Sequence, residues 1–186
     1  TQNPSTPDSI FPNNWISTHA DGTICLYPMF AENRRAERKS TVIEFLHSNF
    51  TIKNVFDLTH FEKEGKFLEG TGSMVLDHQH KIAYGCLSER LDKEAFAFWC
   101  DKMQFKPIGF KAVDVKAQPI YHTNVMMCMG TQFVVICLES IPNEQEKQML
   151  LDSFLQTKKE VIDISQDQLN YFAGNMLQVF DITEKP

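Results

Sequence analysis

Residues 73–113 read SMVLDHQHKIAYGCLSERLDKEAFAFWCDKMQFKPIGFKAV, a stretch that contains each kind of secondary structure in a definite order. Two apolar, β-rich runs at 73–76 and 81–87 flank a polar turn and predict a hairpin. Asp92 is a predicted helix N-cap, and a strand at 107–113 follows the helix. The stretch therefore predicts a β-β-α-β unit. Its helix is expected to bury Leu91, Ala95, Phe98, Trp99 and Met103.

The residues before this stretch follow a similar order. A β-rich run at 23–29 precedes Asn33, a predicted N-cap, and a strand at 52–58 ends the segment. This segment predicts another copy of the unit. The face that its helix is expected to bury consists of Val42, Ile43, Leu46 and Phe50.

The residues after the stretch repeat the order once more. Runs at 124–129 and 132–138 predict a hairpin around a glycine-containing turn, and a strand is predicted at 160–164. The helix between them begins with Asn143-x-x-Glu146, the pattern of a capping box. This helix is expected to bury Leu150, Leu151, Phe154 and Leu155.

The predicted helix caps recur about every 55 residues, so the chain repeats the unit about three times. We place the repeats at about 14–60, 67–115 and 121–180, in a single domain over residues 1–186 without a low-complexity linker. One such unit leaves an apolar sheet face uncovered, so its copies must pack around a common axis or in a shared sheet. The expected fold class is α/β.

The composition argues against several classes of function. The chain has 186 residues, of which 42% are hydrophobic, and 24 acidic against 18 basic side chains give a net charge of −6. An acidic chain with no Lys/Arg-rich block lacks the electrostatic footprint of a nucleic-acid-binding protein. Its apolar runs are too short for a membrane span. We therefore expect neither a nucleic acid nor a membrane as a partner.

Five cysteines lie far apart, mostly in apolar runs, and form no C-x-x-C motif. Such thiols are typical of a reducing compartment, so we expect a cytoplasmic protein. His78 and His80 lack further ligands at zinc spacing, so we predict a solvated turn there, with no metal site and no cofactor. The chain opens at Thr1 without a methionine, which indicates that it is part of a longer polypeptide.

Polar clusters stand at predicted strand ends and turns, where α/β proteins often place binding groups. The first cluster is Phe11-Pro12-Asn13-Asn14-Trp15, for which the alternative is a loop that uses asparagine for turn formation. The second cluster is FLEGTGS at 67–73. Glu69 in this cluster is a general acid or base if its surroundings raise its pKa, and the alternative is a tight turn with a solvated carboxylate.

A third cluster is Tyr121-His122-Thr123-Asn124, where the imidazole is either a satisfied core histidine or a proton shuttle. The fourth comprises Arg34-Arg35 and Ser88-Glu89-Arg90, both at strand-to-helix junctions. An arginine binds a carboxylate through two parallel hydrogen bonds, so either group could hold the carboxylate of an amino acid. For Arg34, a charged helix start in solvent is the favoured interpretation.

In this order, the clusters together with Phe172-Ala173-Gly174-Asn175-Met176 resemble the guanidino-group-modifying superfamily, the penteins. This superfamily contains arginine deiminases, dimethylarginine hydrolases and amidinotransferases, and the resemblance is closest to the citrulline-utilisation hydrolases. Each motif is weak alone, whereas the ordered set is strong and covers nearly the whole chain. The family fold is a propeller of five ββαβ units around a central channel. The resemblance therefore implies that about three of five units are present.

The resemblance also implies a mechanism and a role for each candidate residue. In the family, a cysteine thiolate attacks the planar guanidino or ureido carbon and expels an amine or ammonia. By this resemblance His122 is the acid and base, and Glu69 is the carboxylate that orients the substrate and the histidine. Arg90 would bind the α-carboxylate of the substrate, and Arg35 is a weaker candidate for the same task.

Asn14 and Asn124 differ from the arginine deiminases, which have carboxylates at these positions. A guanidinium is a cation that only donates hydrogen bonds, whereas a ureido group is neutral and has an oxygen that needs a donor. Asparagine both donates and accepts. We therefore predict that Asn14 and Asn124 bind a ureido substrate, citrulline above all, which would be cleaved to ornithine, carbon dioxide and ammonia. An arginine-like amino acid is the alternative substrate.

The family nucleophile follows a glycine-rich stretch that is missing here, so the resemblance implies a parent enzyme whose cysteine lies outside this chain. The chain alone is expected to be inactive, and the first propeller unit is expected before Thr1. Three alternatives stay open: a non-catalytic pentein binding module, an arginine deiminase or amidinotransferase, and a three-repeat structural protein that associates through strand edges. A homo-oligomer also stays open.

Overall fold

Nine short strands form three sheets of three strands each in the computed structural model, which describes residues 6–179. In each sheet, two strands form an antiparallel hairpin and the third strand pairs in parallel with the second. A parallel partner needs a crossover connection, and a helix provides it in every sheet. The predicted β-β-α-β repeat is confirmed. The strands are β1 Ile16–Thr18, β2 Thr23–Leu26, β3 Asn54–Asp57, β4 Met74–Asp77, β5 Ile82–Cys86, β6 Lys106–Phe110, β7 Met127–Met129, β8 Phe133–Ile136 and β9 Glu160–Asp163.

The helices of the described residues differ widely in length, and only three of them, α2, α4 and α6 in the list below, are crossovers. None of the helices within residues 6–179 is both long enough and apolar enough to cross a bilayer. Residues 1–5 and 180–186 of the predicted domain, which include the end of the third predicted repeat, lie outside the described residues. The helices are α1 Glu32–Arg35, α2 Ser40–Asn49, α3 Gly70–Ser73, α4 Lys93–Met103, α5 Thr123–Met126, α6 Glu144–Gln156 and α7 Gln166–Leu169, with 3₁₀ turns at Pro12–Asn14, Thr59–Glu64 and Leu138–Ser140.

The central strand of each sheet is almost completely buried. Strands β2 and β5 are buried at every position, and β8 is buried at all positions but its first. Continuous apolar runs of this kind are typical of strands that are covered on both faces. One core lies within the first repeat, a second joins repeats one and two, and a third joins repeats two and three. The repeats therefore share buried surface.

Two of the predicted helix caps are confirmed. The side chains of Asp92 and Asn143 each accept hydrogen bonds from the second and third backbone amides of their helices, α4 and α6. The reciprocal half of the predicted capping box is wrong, because Glu146 is engaged elsewhere. Its Oε2 accepts a hydrogen bond of 2.8 Å from the backbone N–H of Lys111, which ties helix α6 to the end of β6.

The prediction that Asn33 caps a helix is wrong. Asn33 lies inside the single turn α1, and the crossover helix α2 begins only after a further loop. Arg34 and Glu37 form a buried ion pair across this region, with 2.9 Å between Nε and Oε1. Phe50 was expected on the buried face of α2, but it follows the helix and is 61% exposed.

The predicted buried faces of α4 and α6 are each partly wrong. In α4, Phe96 is buried whereas Phe98 is exposed. In α6, Leu155 is exposed, and Ser153 takes an inward position instead. The Ser153 hydroxyl is hydrogen-bonded to the buried Tyr84 hydroxyl, with 2.8 Å between the oxygens. A polar partner in the core therefore accounts for the inward position of Ser153, and hydropathy does not reveal that partner.

A one-turn segment precedes the first strand of every sheet: Pro12–Asn14 before β1, α3 before β4, and α5 before β7. Segment α3 lies against both of the others. Residues 124–126, predicted as strand, belong to helix α5. The Thr123 hydroxyl accepts a hydrogen bond of 2.7 Å from Cys86 N and donates one to Ser73 O, which fixes α5 against the second sheet.

Glycine allows the first and second segments to approach closely. Gly70 has φ +45°, and a Cβ at this position would lie 2.2 Å from the backbone oxygen of Asn13. Side chains other than hydrogen would therefore force the segments apart. The three one-turn segments consequently lie side by side, and the candidate site is built on them.

Candidate active site

Equivalent positions in consecutive repeats carry the two residues at the centre of the candidate site. Each one-turn segment has one N-cap residue, and these are Phe11, Glu69 and His122. Because the segments lie side by side, Glu69 and His122 meet although they are 53 positions apart in the chain. Glu69 Oε2 lies 2.7 Å from His122 Nε2, and both residues are buried. The structure therefore brings together the predicted carboxylate and the predicted acid and base.

The Glu69 carboxylate is fully buried, and both of its oxygens accept hydrogen bonds. Oε1 accepts from the backbone N–H of Phe30 at 3.0 Å, and Oε2 accepts from Nη1 of Arg90 at 3.3 Å as well as from His122. The backbone N–H of Glu69 also donates to the Arg90 carbonyl at 3.1 Å. Groups from all three repeats therefore fix the orientation of this carboxylate.

The surroundings set the charges of the pair. Burial raises the pKa of the Glu69 carboxyl, but the His122 hydrogen bond, the Arg90 guanidinium and the Phe30 N–H outweigh burial and leave the pKa below its ordinary value. Burial lowers the pKa of His122, and the hydrogen bond to Glu69 offsets only part of this effect. At neutral pH the pair is therefore a carboxylate and a neutral imidazole whose Nε2–H donates to Glu69. Nδ1 then carries the lone pair and can accept a proton.

Asn14 lies beside this pair. It is buried, and a Cβ at Gly72 would lie 2.3 Å from Asn14 Oδ1 and 3.0 Å from His122 Cε1. Because Gly72 has no Cβ, the Asn14 amide and the His122 ring can lie next to each other. We refer to Asn14, Glu69, Arg90 and His122 as the Glu69 cluster.

Arg90 is the residue of the cluster that reaches the surface. Its side chain is 26% exposed, and its guanidinium lies 4.9 Å from the ring centre of Tyr121 and 6.0 Å from that of Phe30. Its Nε is buried and lacks a hydrogen-bond partner within residues 6–179. A buried donor without a partner is costly, whereas the exposed part of the guanidinium can reach a ligand acceptor such as a carboxylate.

The other two predicted binding residues stand outside the Glu69 cluster. Arg35 donates from Nε to the Met29 carbonyl at 3.0 Å and from Nη2 to the Phe30 carbonyl at 3.3 Å. Asn124 lines a groove of about 350 Å³, which it shares with Thr71. The substrate-binding roles of Arg35 and Asn124 stay predictions.

Arg34 was expected in solvent, and this expectation is wrong. The guanidinium is buried against Glu37 and donates from Nη2 to the carbonyls of Asp8, at 3.3 Å, and Phe11, at 3.4 Å. It therefore holds the chain that leads to Asn14. The spacing of Arg34 and Glu37, three residues apart, was the sequence signal for this pair.

The five cysteines of the chain are all free and buried. Burial raises the pKa of every one of these thiols, to about 12 for Cys86 and Cys100. A reactive thiolate needs the opposite shift, so their surroundings activate none of them as a nucleophile. Within residues 6–179, no three His, Cys, Asp or Glu side chains are grouped as metal ligands.

The model of a known family, N,N dimethylarginine dimethylhydrolase, eukaryotic, matches residues 1–186. The chain belongs to this dimethylarginine dimethylhydrolase family. The predicted membership of the guanidino-group-modifying penteins is thereby confirmed. A search among proteins of curated function finds no match.

Solved structures show the fold of this dimethylarginine dimethylhydrolase family member. The apo arginine dihydrolase ArgZ of cyanobacteria has a TM-score of 0.73 at 15% identity, over 95% of this chain and 26% of that one. The substrate-bound N-terminal domain of ArgZ gives 0.70 at 15% identity, over 91% and 58%. An AgrE variant with L-arginine gives 0.74 at 17% identity, over 93% and 24%. The predicted pentein fold is confirmed, and the chain spans about a quarter of ArgZ and of AgrE.

Proposed function

We propose that the whole protein hydrolyses a C–N bond at the planar carbon of a guanidino or ureido amino acid, with His122 as the acid and base and Glu69 as the carboxylate that orients the substrate and the histidine. The observation that carries this proposal is the buried hydrogen bond of 2.7 Å between Glu69 and His122. The family match supports guanidino-group chemistry. A pure binding module has no need for a buried acid–imidazole pair next to a partly exposed arginine, so the geometry favours an enzyme.

In the proposed mechanism His122 moves the protons. Its neutral ring accepts the proton of the attacking cysteine thiol, which the resemblance places outside this chain, and the thiolate sulfur forms a bond to the planar carbon. The imidazolium then gives this proton to the leaving nitrogen as the C–N bond breaks. In the second half, the ring takes a proton from water, hydroxide attacks the carbon, and the C–S bond breaks. The imidazolium then returns its proton to the sulfur, which restores the thiol and the neutral ring. Glu69 stabilises the imidazolium in both halves.

Arg90 is the proposed anchor for the substrate carboxylate. Its quarter-exposed side chain suits a ligand that approaches from the surface. The α-carboxylate of an amino acid is the group that a guanidinium binds most specifically. Asn14 is then the residue that contacts the planar group beside His122.

We propose citrulline as the substrate because the Glu69 cluster is electrically balanced. The negative charge of Glu69 faces the positive charge of Arg90, while Asn14 and His122 are neutral. An uncharged ureido group adds no charge to this set. A cationic guanidino amino acid is the second candidate. It is supported by the family description, which names N,N-dimethylarginine, by the name of ArgZ, an arginine dihydrolase, and by the L-arginine bound to the AgrE variant.

Turnover by the full-length protein tests the proposal. We expect ornithine and ammonia from citrulline, whereas hydrolysis of dimethylarginine would release a methylated amine. Turnover of arginine or dimethylarginine at least as fast as that of citrulline would refute the ureido substrate and leave the hydrolase. We expect His122→Ala to lower kcat about 100-fold or more, because general acid–base catalysis is lost. His47→Ala, an exposed position on α2, is the matched control, and equal rates of the two variants would remove His122 from the mechanism.

Two further parts of the proposal concern the setting of the enzyme. We propose that residues 1–186 form part of one pentein domain, with the repeats near 14–60, 67–115 and 121–180. We also propose a cytoplasmic location, since the five free, buried thiols are compatible with a reducing compartment.

A further inference from the structure

The backbone segment 27–30 is hydrogen-bonded at all seven of its backbone polar atoms. This segment carries the Phe30 N–H that donates to Glu69, so its position decides where that donor points. Each of its hydrogen bonds comes from a group outside the segment. They are Tyr27 N to Trp15 O at 2.9 Å, Arg38 Nη1 to Tyr27 O at 3.3 Å, Leu68 N to Pro28 O at 3.1 Å, Met29 N to Glu62 Oε1 at 2.8 Å, Arg35 Nε to Met29 O at 3.0 Å and Arg35 Nη2 to Phe30 O at 3.3 Å.

Glu62 is the centre of this arrangement. Its Oε1 lies 2.6 Å from Nη1 of Arg38 and its Oε2 lies 3.0 Å from Nη2, a bidentate pair. Arg35 Nε lies 3.5 Å from the same Oε2. The carboxylate is 12% exposed, so solvent screens these contacts only in part. One carboxylate therefore orients both arginines and also accepts the Met29 N–H.

We propose that Glu62 is a positioning residue of the candidate active site, which acts by holding the Met29–Phe30 peptide so that the Phe30 N–H points at Glu69. The inference rests on the proposed role of Glu69. Neither the sequence motifs nor the family resemblance assigns a role to Glu62.

The proposed effect on Glu69 follows from the groups around it. The charged and titratable groups that act on its carboxylate are His122 from the start of α5, Arg90 from the loop before α4, and Arg34 from α1. Phe30 contributes the only backbone donor to its oxygens among the hydrogen bonds of residues 6–179. This donor favours the ionised form. A displaced Phe30 N–H would leave one oxygen without a partner, so the carboxyl would titrate at higher pH and rotate more freely.

The test compares Glu62→Gln with Glu64→Gln. Glu64 belongs to the same 3₁₀ turn, but it is exposed and contacts Lys66. Both variants remove one negative charge, and only Glu62→Gln breaks the bidentate pair with Arg38 and the contact of Oε2 with Arg35, because an amide nitrogen donates and cannot accept. The readout is the pH titration of the Glu69 side-chain carbon by NMR on the chain labelled at glutamate. Its resonance is assigned from its absence in Glu69→Gln.

We expect Glu62→Gln to shift the midpoint of the Glu69 titration upward by about half a pH unit or more, and Glu64→Gln to leave it in place. Identical midpoints in the two variants would overturn the inference, even if Glu62→Gln lowered the stability, because a purely structural role does not move this titration. If circular dichroism shows that Glu62→Gln is unfolded, Arg38→Gln replaces it. That variant breaks the bidentate pair, and an unshifted midpoint in it likewise overturns the inference.

Activity of the full-length protein separates this inference from the proposed function. In Glu62→Gln we expect the acidic limb of the pH profile of kcat/KM to move to higher pH, in step with the NMR titration. A shifted titration in a protein without hydrolase activity would retain the positioning of Glu69 by Glu62 and reject the enzyme. An active protein with an unshifted titration would retain the enzyme and reject the positioning of Glu69 by Glu62.

Discussion

At the scale of single residues, burial and the number of nearby hydrogen-bond donors together set the charges of Glu69 and His122. Removal from water disfavours the charged forms of both Glu69 and His122, yet only the carboxylate receives enough donors to stay ionised. The imidazole has one acidic partner, and the positive charges of Arg90 and Arg34 disfavour its protonation. This difference produces an acid–imidazole pair that is ready to accept a proton.

The lowered pKa of His122 predicts a pH-dependent stability. In the unfolded chain the imidazole takes up a proton below its ordinary pKa of 6.5, whereas in the folded chain it stays neutral to lower pH. The unfolded state therefore binds more protons in this window, so the free energy of unfolding should fall as the pH decreases from 6.5 towards the folded-state pKa. Urea unfolding at several pH values between 7.5 and 5 should show a weaker pH dependence in His122→Asn than in the unchanged protein.

His19 and His78 contribute in the same direction, because burial lowers their pKa values too. Both remain in His122→Asn, so the difference between the two proteins reports His122 together with its partner Glu69. Equal slopes of stability against pH would contradict the assigned direction.

At the scale of elements, local signals were predictable and long-range contacts were not. Asp92 and Asn143 cap their helices through amides two and three positions away, so their sequence neighbourhood was sufficient. Asn33 failed as a cap in a loop where Arg34 is buried against Glu37 and against carbonyls near residue 10. The inward face of α6 was misjudged because Tyr84, from another repeat, provides a partner for Ser153.

The candidate site shows the same difference between predictable and unpredictable contacts. Resemblance to a family indicated that Glu69 and His122 belong together, and their separation of 53 positions is close to the repeat length, which places them at equivalent positions of consecutive repeats. Arg35 was predicted as a substrate ligand from its charge, yet its guanidinium contacts backbone carbonyls. Backbone atoms carry no residue-specific signal in a sequence, so the role of the Met29–Phe30 peptide was not predictable.

The close packing of the one-turn segments predicts different costs for two glycine substitutions. Gly65 and Gly70 both have positive φ, but a Cβ at Gly65 meets nothing within 4 Å, whereas at Gly70 it meets a backbone oxygen. Gly65→Ala should cost about 1 kcal/mol of unfolding free energy from backbone strain alone. Gly70→Ala should cost about 3 kcal/mol or more, because the clash is added to the strain. Urea unfolding of both variants measures the difference, and equal losses would show that segment α3 can move away from Asn13.

At the scale of the whole molecule, a buried ion pair connects the second and third repeats. Lys159 Nζ lies 3.4 Å from Asp77 Oδ2 and donates to the carbonyls of Gly130, at 3.0 Å, and Thr131, at 2.7 Å. The side chains of Lys159 and Asp77 are each only 2% exposed. The ammonium therefore joins the turn of one hairpin to the turn of the next.

Lys159→Met should lower the free energy of unfolding by about 3 kcal/mol, because it removes the buried cation beside Asp77 and leaves this carboxylate with the partly exposed His80, 3.0 Å away. The neighbouring Lys158 is exposed, so Lys158→Met is the control and should change stability by less than about 0.5 kcal/mol. The double variant Asp77→Leu with Lys159→Met should recover part of the loss, since no unpaired charge remains. Chemical denaturation of the unchanged protein, Asp77→Leu, Lys159→Met and the double variant gives the coupling energy, and strictly additive losses would show that the two charges act independently.

The N-cap positions of α3 and α5 give the catalytic proposal a mechanical consequence. Because Glu69 and His122 belong to different repeats, the distance between their side chains depends on how those repeats are packed against each other. Substitutions at distant contacts between repeats, such as the pair of Asp77 and Lys159, should therefore lower the turnover rate at temperatures where the chain is still folded. On heating, turnover would then be lost when the repeats separate from each other, before any single repeat unfolds.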